Sequence, residues 1–115
     1  MKIGVIKETQ KGEKRIAISP NISKLLIEKG FELLVEEDAG LASSYKNSDY
    51  ESAGAKIVSR ETLFNESTVL IKINPFDEDD LKLVNNTQIL MSQLYYKSNA
   101  ELIKSIAATG ATAFS

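Results

Sequence analysis

The sequence predicts an α/β fold built on a doubly wound, mainly parallel sheet. Short apolar runs alternate with helical patterns from end to end, the rhythm of βαβ units. Helix-start and helix-stop residues fall between the runs, so each apolar run is followed by its own crossover. A chain of 115 residues, 43% of them apolar, suits one domain with one core, covered by helices on both faces of the sheet.

The elements follow in order. "KIGVI" (2–6) reads as the first strand. Ser19 and Pro20 form an N-cap and first-turn pair, Ile22, Leu25 and Leu26 share a stripe, and Gly30 closes the helix. "FELLVEE" (31–37) is a second strand, "NSDYESAGA" a short helix with a glycine stop, and "AKIVS" (55–59) a third strand. Ser59 caps a brief helix over 60–65. "TVLIKI" (68–73) is a fourth strand ended by Pro75, and the acidic "DEDDLKLV" fits one or two helical turns. "TQILMSQL" (87–94) is a fifth strand. Asn99 caps a helix with Leu102, Ile103, Ile106 and Ala107 on its stripe and Gly110 at its end. "ATAFS" begins a sixth strand, so the sheet is expected to be truncated there and residues 1–115 to be the front segment of a longer protein.

Composition removes several function classes. Fourteen basic and sixteen acidic residues give a net charge of −2, without the basic stripe that captures nucleic acid. No apolar run reaches the roughly 20 residues needed to cross a bilayer. Cysteine and histidine are both absent, which excludes disulfides, thiolate chemistry, imidazole proton transfer and most zinc sites. Asp77, Glu78, Asp79 and Asp80 are read as a first helical turn favoured by the helix dipole, with no metal. There is no G-x-G-x-x-G and no P-loop.

In an open α/β sheet, ligands bind beyond the carboxyl ends of the strands. That rule selects the loop 7–18 with Arg15, then Lys72 with Asn74, and the region 93–97 with Tyr95 and Tyr96. A guanidinium at Arg15 suits a carboxylate or phosphate; the plainer alternative is a solvated basic loop. Strand alternation puts Leu70, Lys72 and Asn74 on one face, and the plainer reading there is a polar strand end that meets water. For Tyr95 and Tyr96 the alternatives are stacking on a ligand and forming a wall or interface.

At these positions the chain resembles a known family. "MKIGVIKETQKGEKRIAISPNISKLLIEKGFELLVEEDAG" (1–40), "DYESAGAKIV" (49–58) and "LIKINP" (70–75) are similar to the N-terminal domain shared by two enzymes. These are alanine dehydrogenase and the NAD(H)-binding alpha subunit of proton-translocating nicotinamide nucleotide transhydrogenase. The resemblance covers the whole chain and implies a Rossmann-like (flavodoxin-like) fold, with the glycine-rich NAD-binding domain later in the chain. NAD(H) is therefore expected in the whole protein, with no cofactor on this segment.

The resemblance also implies roles. Arg15 matches the arginine that holds the substrate carboxylate. The dehydrogenases read lysine-x-lysine-glutamate-proline at the fourth strand, where the second lysine helps bind the keto acid; Asn74 stands there. They carry a catalytic histidine after the fifth strand; Tyr95 stands there. Losing a proton-transferring imidazole costs on the order of 10²–10⁴ in rate, so the resemblance favours the transhydrogenase subunit, which passes hydride between nicotinamides. Lys72 and Asn74 are then the remodelled remains of a substrate pocket, facing the cleft towards the NAD-binding domain, and no residue here is catalytic. The implied partners are that domain, the NADP(H)-binding and membrane components, and a second copy in a homodimer. The implied location is cytoplasmic, peripheral on the inner membrane. An alanine- or saccharopine-type amino-acid dehydrogenase and a non-catalytic assembly module are the alternatives.

Overall fold

The computed structural model describes residues 1–93 and 100–114, the side chains of 100–103 excepted. Along the chain run β1 (Lys2–Val5), α1 (Pro20–Glu28), β2 (Glu32–Glu36), α2 (Asn47–Ser52), β3 (Lys56–Val58) and α3 (Arg60–Glu66). They are followed by β4 (Val69–Ile71), α4 (Glu78–Leu81), β5 (Ile89–Met91), α5 (Ala100–Thr109) and β6 (Thr112–Phe114). The strands form one six-stranded sheet in the order β3-β2-β1-β4-β5-β6, and every pair is parallel. This is the Rossmann order 3-2-1-4-5-6, rather than the flavodoxin-like 2-1-3-4-5. Each element expected between residues 2 and 93 is present, with strands one to five residues shorter than the apolar runs suggested. The expected cap Asn99 lies outside the described residues.

The two faces of the sheet read directly from alternation. Val5, Leu33 and Val35 point to one side, where they pack with Ile18, Ala39, Tyr50 and Ala55 and with Leu26 and Ile27 of α1. Ile6, Leu34, Leu70 and Leu90 point to the other, against Leu63 and Phe64 of α3, Leu81 of α4 and Ile106 of α5. Lys72 follows Leu70 by two residues and so shares the face of α3, α4 and α5.

Local chemistry sets the element ends. Ser19 Oγ accepts from Ile22 N at 3.3 Å with Pro20 in the first turn, and Ser59 Oγ accepts from Thr62 N at 3.2 Å. Gly30 takes φ +98° past the end of α1, a conformation open to glycine. Tyr50, fully buried, donates from its hydroxyl to Ile18 O at 2.8 Å, and burial pushes that phenol up to about 12. Ser43 Oγ donates to Lys14 O. These two contacts anchor the downstream half of the long β1–α1 loop, which carries Arg15.

β1 and α3 approach closely at Gly4. A Cβ there would sit 2.1 Å from Ser67 Oγ and 2.8 Å from Ser67 Cβ. Ser67 Oγ is itself buried without a hydrogen-bond partner among the described residues. Gly4→Ala is therefore expected to destabilise the domain by about 1–3 kcal/mol, the range for overpacking, whereas Ser67→Ala is expected to be neutral or slightly stabilising. Urea denaturation of both variants checks this, and equal midpoints for Gly4→Ala and wild type would count against the close approach.

Candidate functional site

The strand order reverses between β1 and β4, and the crevice beyond their carboxyl ends is where an open α/β sheet offers a ligand site. Backbone amides that leave the sheet at this point need acceptors. Glu8 supplies two of them: its Oε2 accepts from Ile73 N at 2.7 Å and its Oε1 from Asn74 N at 3.1 Å. Asn74, buried to 6% exposure, returns its side-chain amide to Glu8 Oε1 at 3.1 Å and to Glu13 Oε1 at 2.9 Å. Glu13 in turn grips Arg15 side-on, accepting from Nη2 at 2.8 Å and Nε at 3.0 Å, and takes the Arg15 backbone N–H at 3.0 Å. The Arg15 side-chain and backbone donors, then Asn74, lower the Glu13 carboxyl to about 2.

A second network lies deeper. The amine of Lys72, almost fully buried, donates to Asp80 Oδ2 at 3.0 Å and stands 5.9 Å from the centre of the Phe76 ring. Arg60 reaches the other Asp80 oxygen, lies 4.7 Å over Phe64, and pairs with Glu36 at 3.6 Å. Asp80 also closes a reciprocal capping box with Asp77: Asp77 N donates to Asp80 Oδ2 at 2.9 Å and Asp80 N to Asp77 Oδ1 at 2.8 Å. Burial alone would raise the Asp80 carboxyl, but the donors from Arg60, Asp77 and Lys72 hold it below the usual range. At Glu36 burial prevails and pushes the carboxyl up, against the opposing N–H of Lys7 and charge of Arg60.

The residues singled out from sequence thus have definite places. Arg15 is at the crevice rim, with its side chain 65% exposed and its fork on Glu13. Lys72 and Asn74 do not meet water as the plainer reading held: both are buried, because Asp80 and the Glu8–Glu13 pair supply partners strong enough to offset desolvation. The amine of Lys72 is turned to Asp80, and the amide of Asn74 to the loop. Tyr95, Tyr96 and Lys97 lie outside the described residues. Asp77 and Asp80 cap α4, and among the described residues no three acidic groups are arranged to hold a metal. Sequence reasoning missed Glu8, Glu13, Glu36, Arg60 and Asp80 as parts of the site. The D-x-x-D spacing of the capping box was a readable signal for Asp80; nothing local marks the others' partners.

Arg15, Ile71, Lys72, Ile73, Met91 and Phe114, with Ser92 and Gln93, line an open, mostly apolar hollow of about 350 Å³ beside these networks. A larger depression of about 450 Å³ lies between α3 and residues 82–85, away from the strand carboxyl ends. The β1 turn does not fit the pyrophosphate of a dinucleotide. It has no glycine fingerprint, and Lys7 N, the first amide of the turn, is already taken by Glu36 at 3.1 Å. Glu36 occupies the end of β2, where an acidic residue of a dinucleotide fold reaches a ribose, yet here it faces Lys7 and Arg60.

Two measurements probe the networks. Asp80→Asn would leave Lys72 and Arg60 without their charge partner, and a loss of roughly 3–5 kcal/mol is expected at pH 7 from urea denaturation; a loss below about 1 kcal/mol would contradict the pairing. Asp80 and Glu13 have folded-state pKa values below their ordinary 3.8 and 4.5, so the stability that they contribute is present above that range and is lost as pH falls. Glu36, raised, contributes below 4.5 and loses that contribution as pH rises. The stability curve is expected to fall as pH drops from 4.5 towards 2, and Asp80→Asn to flatten it.

The comparisons with known proteins follow the same architecture. A family model described as alanine dehydrogenase/PNT, N-terminal domain, matches residues 4–115. Alanine dehydrogenase 1 of Staphylococcus aureus is 33% identical over 115 residues, all of this chain and 31% of that protein. A transhydrogenase from Sinorhizobium meliloti superposes with a TM-score of 0.94 at 26% identity, over 100% of this chain and 34% of that one. An L-alanine dehydrogenase superposes with a TM-score of 0.95 at 28% identity, over 100% and 32%. The chain thus spans about a third of the length of these relatives. By the family match and by its Rossmann-ordered sheet, this chain belongs to the alanine dehydrogenase/PNT N-terminal domain family of oxidoreductases.

Proposed function

We propose that the chain is the N-terminal part of the NAD(H)-binding alpha subunit of a proton-translocating NAD(P) transhydrogenase. The observation that carries this reading is Asn74. At the switch point it presents a neutral amide, with hydrogens committed to Glu8 and Glu13. No imidazole exists anywhere in the chain, and the amine of Lys72, two residues before Asn74, is held by Asp80. Polarising a keto acid and moving its proton require such groups within hydrogen-bond reach. Hydride transfer between two nicotinamides depends on holding the rings at contact distance, a matter of positioning. In this reading the domain supplies one wall of a cleft whose other wall is the NAD(H)-binding domain. NADP(H)-binding and membrane components complete the enzyme, which works as a homodimer at the cytoplasmic face of the inner membrane. No helix among the described residues is long and apolar enough to cross a membrane.

The 33% identity to alanine dehydrogenase 1 of Staphylococcus aureus favours a second reading, an amino-acid dehydrogenase. One pair of assays separates them. Full-length protein mixed with its partner components is expected to transfer hydride from NADH to an NADP analogue, and to show no reduction of pyruvate with NADH and ammonia. Robust pyruvate reduction without transhydrogenation would overturn the proposal and assign the protein to the dehydrogenases.

A further inference from the structure

We infer that Glu13 is a specificity-determining residue: its carboxylate occupies the side-on edge of the Arg15 guanidinium from within the chain, and so keeps 2-oxo acids and other small carboxylates off that edge. The inference rests on the transhydrogenase reading and names what occupies the guanidinium edge that an acid substrate would take. A guanidinium binds a carboxylate most firmly through two parallel N–H···O bonds. Here Nε and Nη2 already make that pair, at 3.0 and 2.8 Å, with the two oxygens of Glu13. Arg15 is 65% exposed whereas Glu13 is 9% exposed, so the acid is the fixed partner and the guanidinium lies over it.

Four donors saturate the Glu13 carboxylate: two from the Arg15 fork, one from the Arg15 backbone and one from Asn74. An incoming carboxylate seeking the same edge would displace an acceptor that is already fully bonded. It would also add a third carboxylate to Glu8 and Glu13, which already share the Asn74 amide. Asn74 completes the device. Its amide hydrogen-bonds both acids but neutralises neither, so Arg15 carries the compensating charge for Glu13. Lys72, the buried amine two residues before, is committed to Asp80. An ammonium at position 74 would compete for Glu13 and release Arg15.

The test uses full-length protein, oxamate as the probe, calorimetry for affinity and the NMR shift of Arg15 Nε as the site-specific signal. Glu13→Gln and Asn74→Lys act by opposite chemistry, one removing the competing charge and the other redirecting it. The wild type is expected to show no saturation below ~10 mM oxamate and each variant a gain of at least ~10-fold, equivalent to about 1.4 kcal/mol. The Arg15 signal is expected to shift only in the variants. Submillimolar binding by the wild type with an Arg15 shift, or no gain in either folded variant, would overturn the inference. Transhydrogenation measured on the same wild-type sample keeps the two questions apart. Hydride transfer together with tight oxamate binding at Arg15 removes the role of Glu13 and leaves the proposed function. Gain in the variants with no wild-type hydride transfer does the reverse.

Discussion

Where parallel strands end at one edge of the sheet, the amides of the outgoing loops leave the ladder and must find other acceptors. In this domain the chain's own carboxylates meet that constraint. Glu8 takes the amides of Ile73 and Asn74, Glu36 takes that of Lys7, and Glu13 takes the Arg15 fork and the Asn74 amide. Asp80 takes Lys72 and Arg60. Because each acid joins elements far apart in sequence, the same contacts that satisfy the edge also fix the loop after β1 against the end of β4. Remove the acids, and the crevice loses both its shape and its charge balance.

The arrangement explains why a dinucleotide-type sheet lacks a dinucleotide-type turn. In a nucleotide-binding βαβ unit the first turn leaves its amides open for phosphate, and an acid at the end of the second strand is open for ribose. Here those two features meet each other: Glu36 accepts from Lys7 N and pairs with Arg60. The topology is retained while its usual site is closed from inside.

Much of the fold was legible in the sequence. Periodicity, the Ser19–Pro20 and Ser59 caps and the glycine stops are local signals, and local signals placed the elements between residues 2 and 93. The site was legible by half. Arg15, Lys72 and Asn74 stood out because their chemistry and their place after strands are both local facts. Their environment did not, since burial of Lys72 depends on an aspartate on another element and on Phe76 beside it. A strand-end lysine beside water and one sealed under an aspartate look identical in sequence. The acidic run 77–80 was correctly read as a helix start, yet only the fold reveals that Asp80 turns inward to two cations while Asp79 stays exposed. Partner choice is a tertiary property, and a single sequence carries little of it.

Internal carboxylates, Glu13 foremost, hold the donors of this crevice. The most direct measurement is a ¹³C NMR titration of the Glu13 side-chain carboxyl in the folded protein. With Arg15 and Asn74 bonded as described, its pKa is expected at about 2, against an ordinary 4.5. A value at or above 4.5 would mean that Glu13 does not grip Arg15, and would contradict the account.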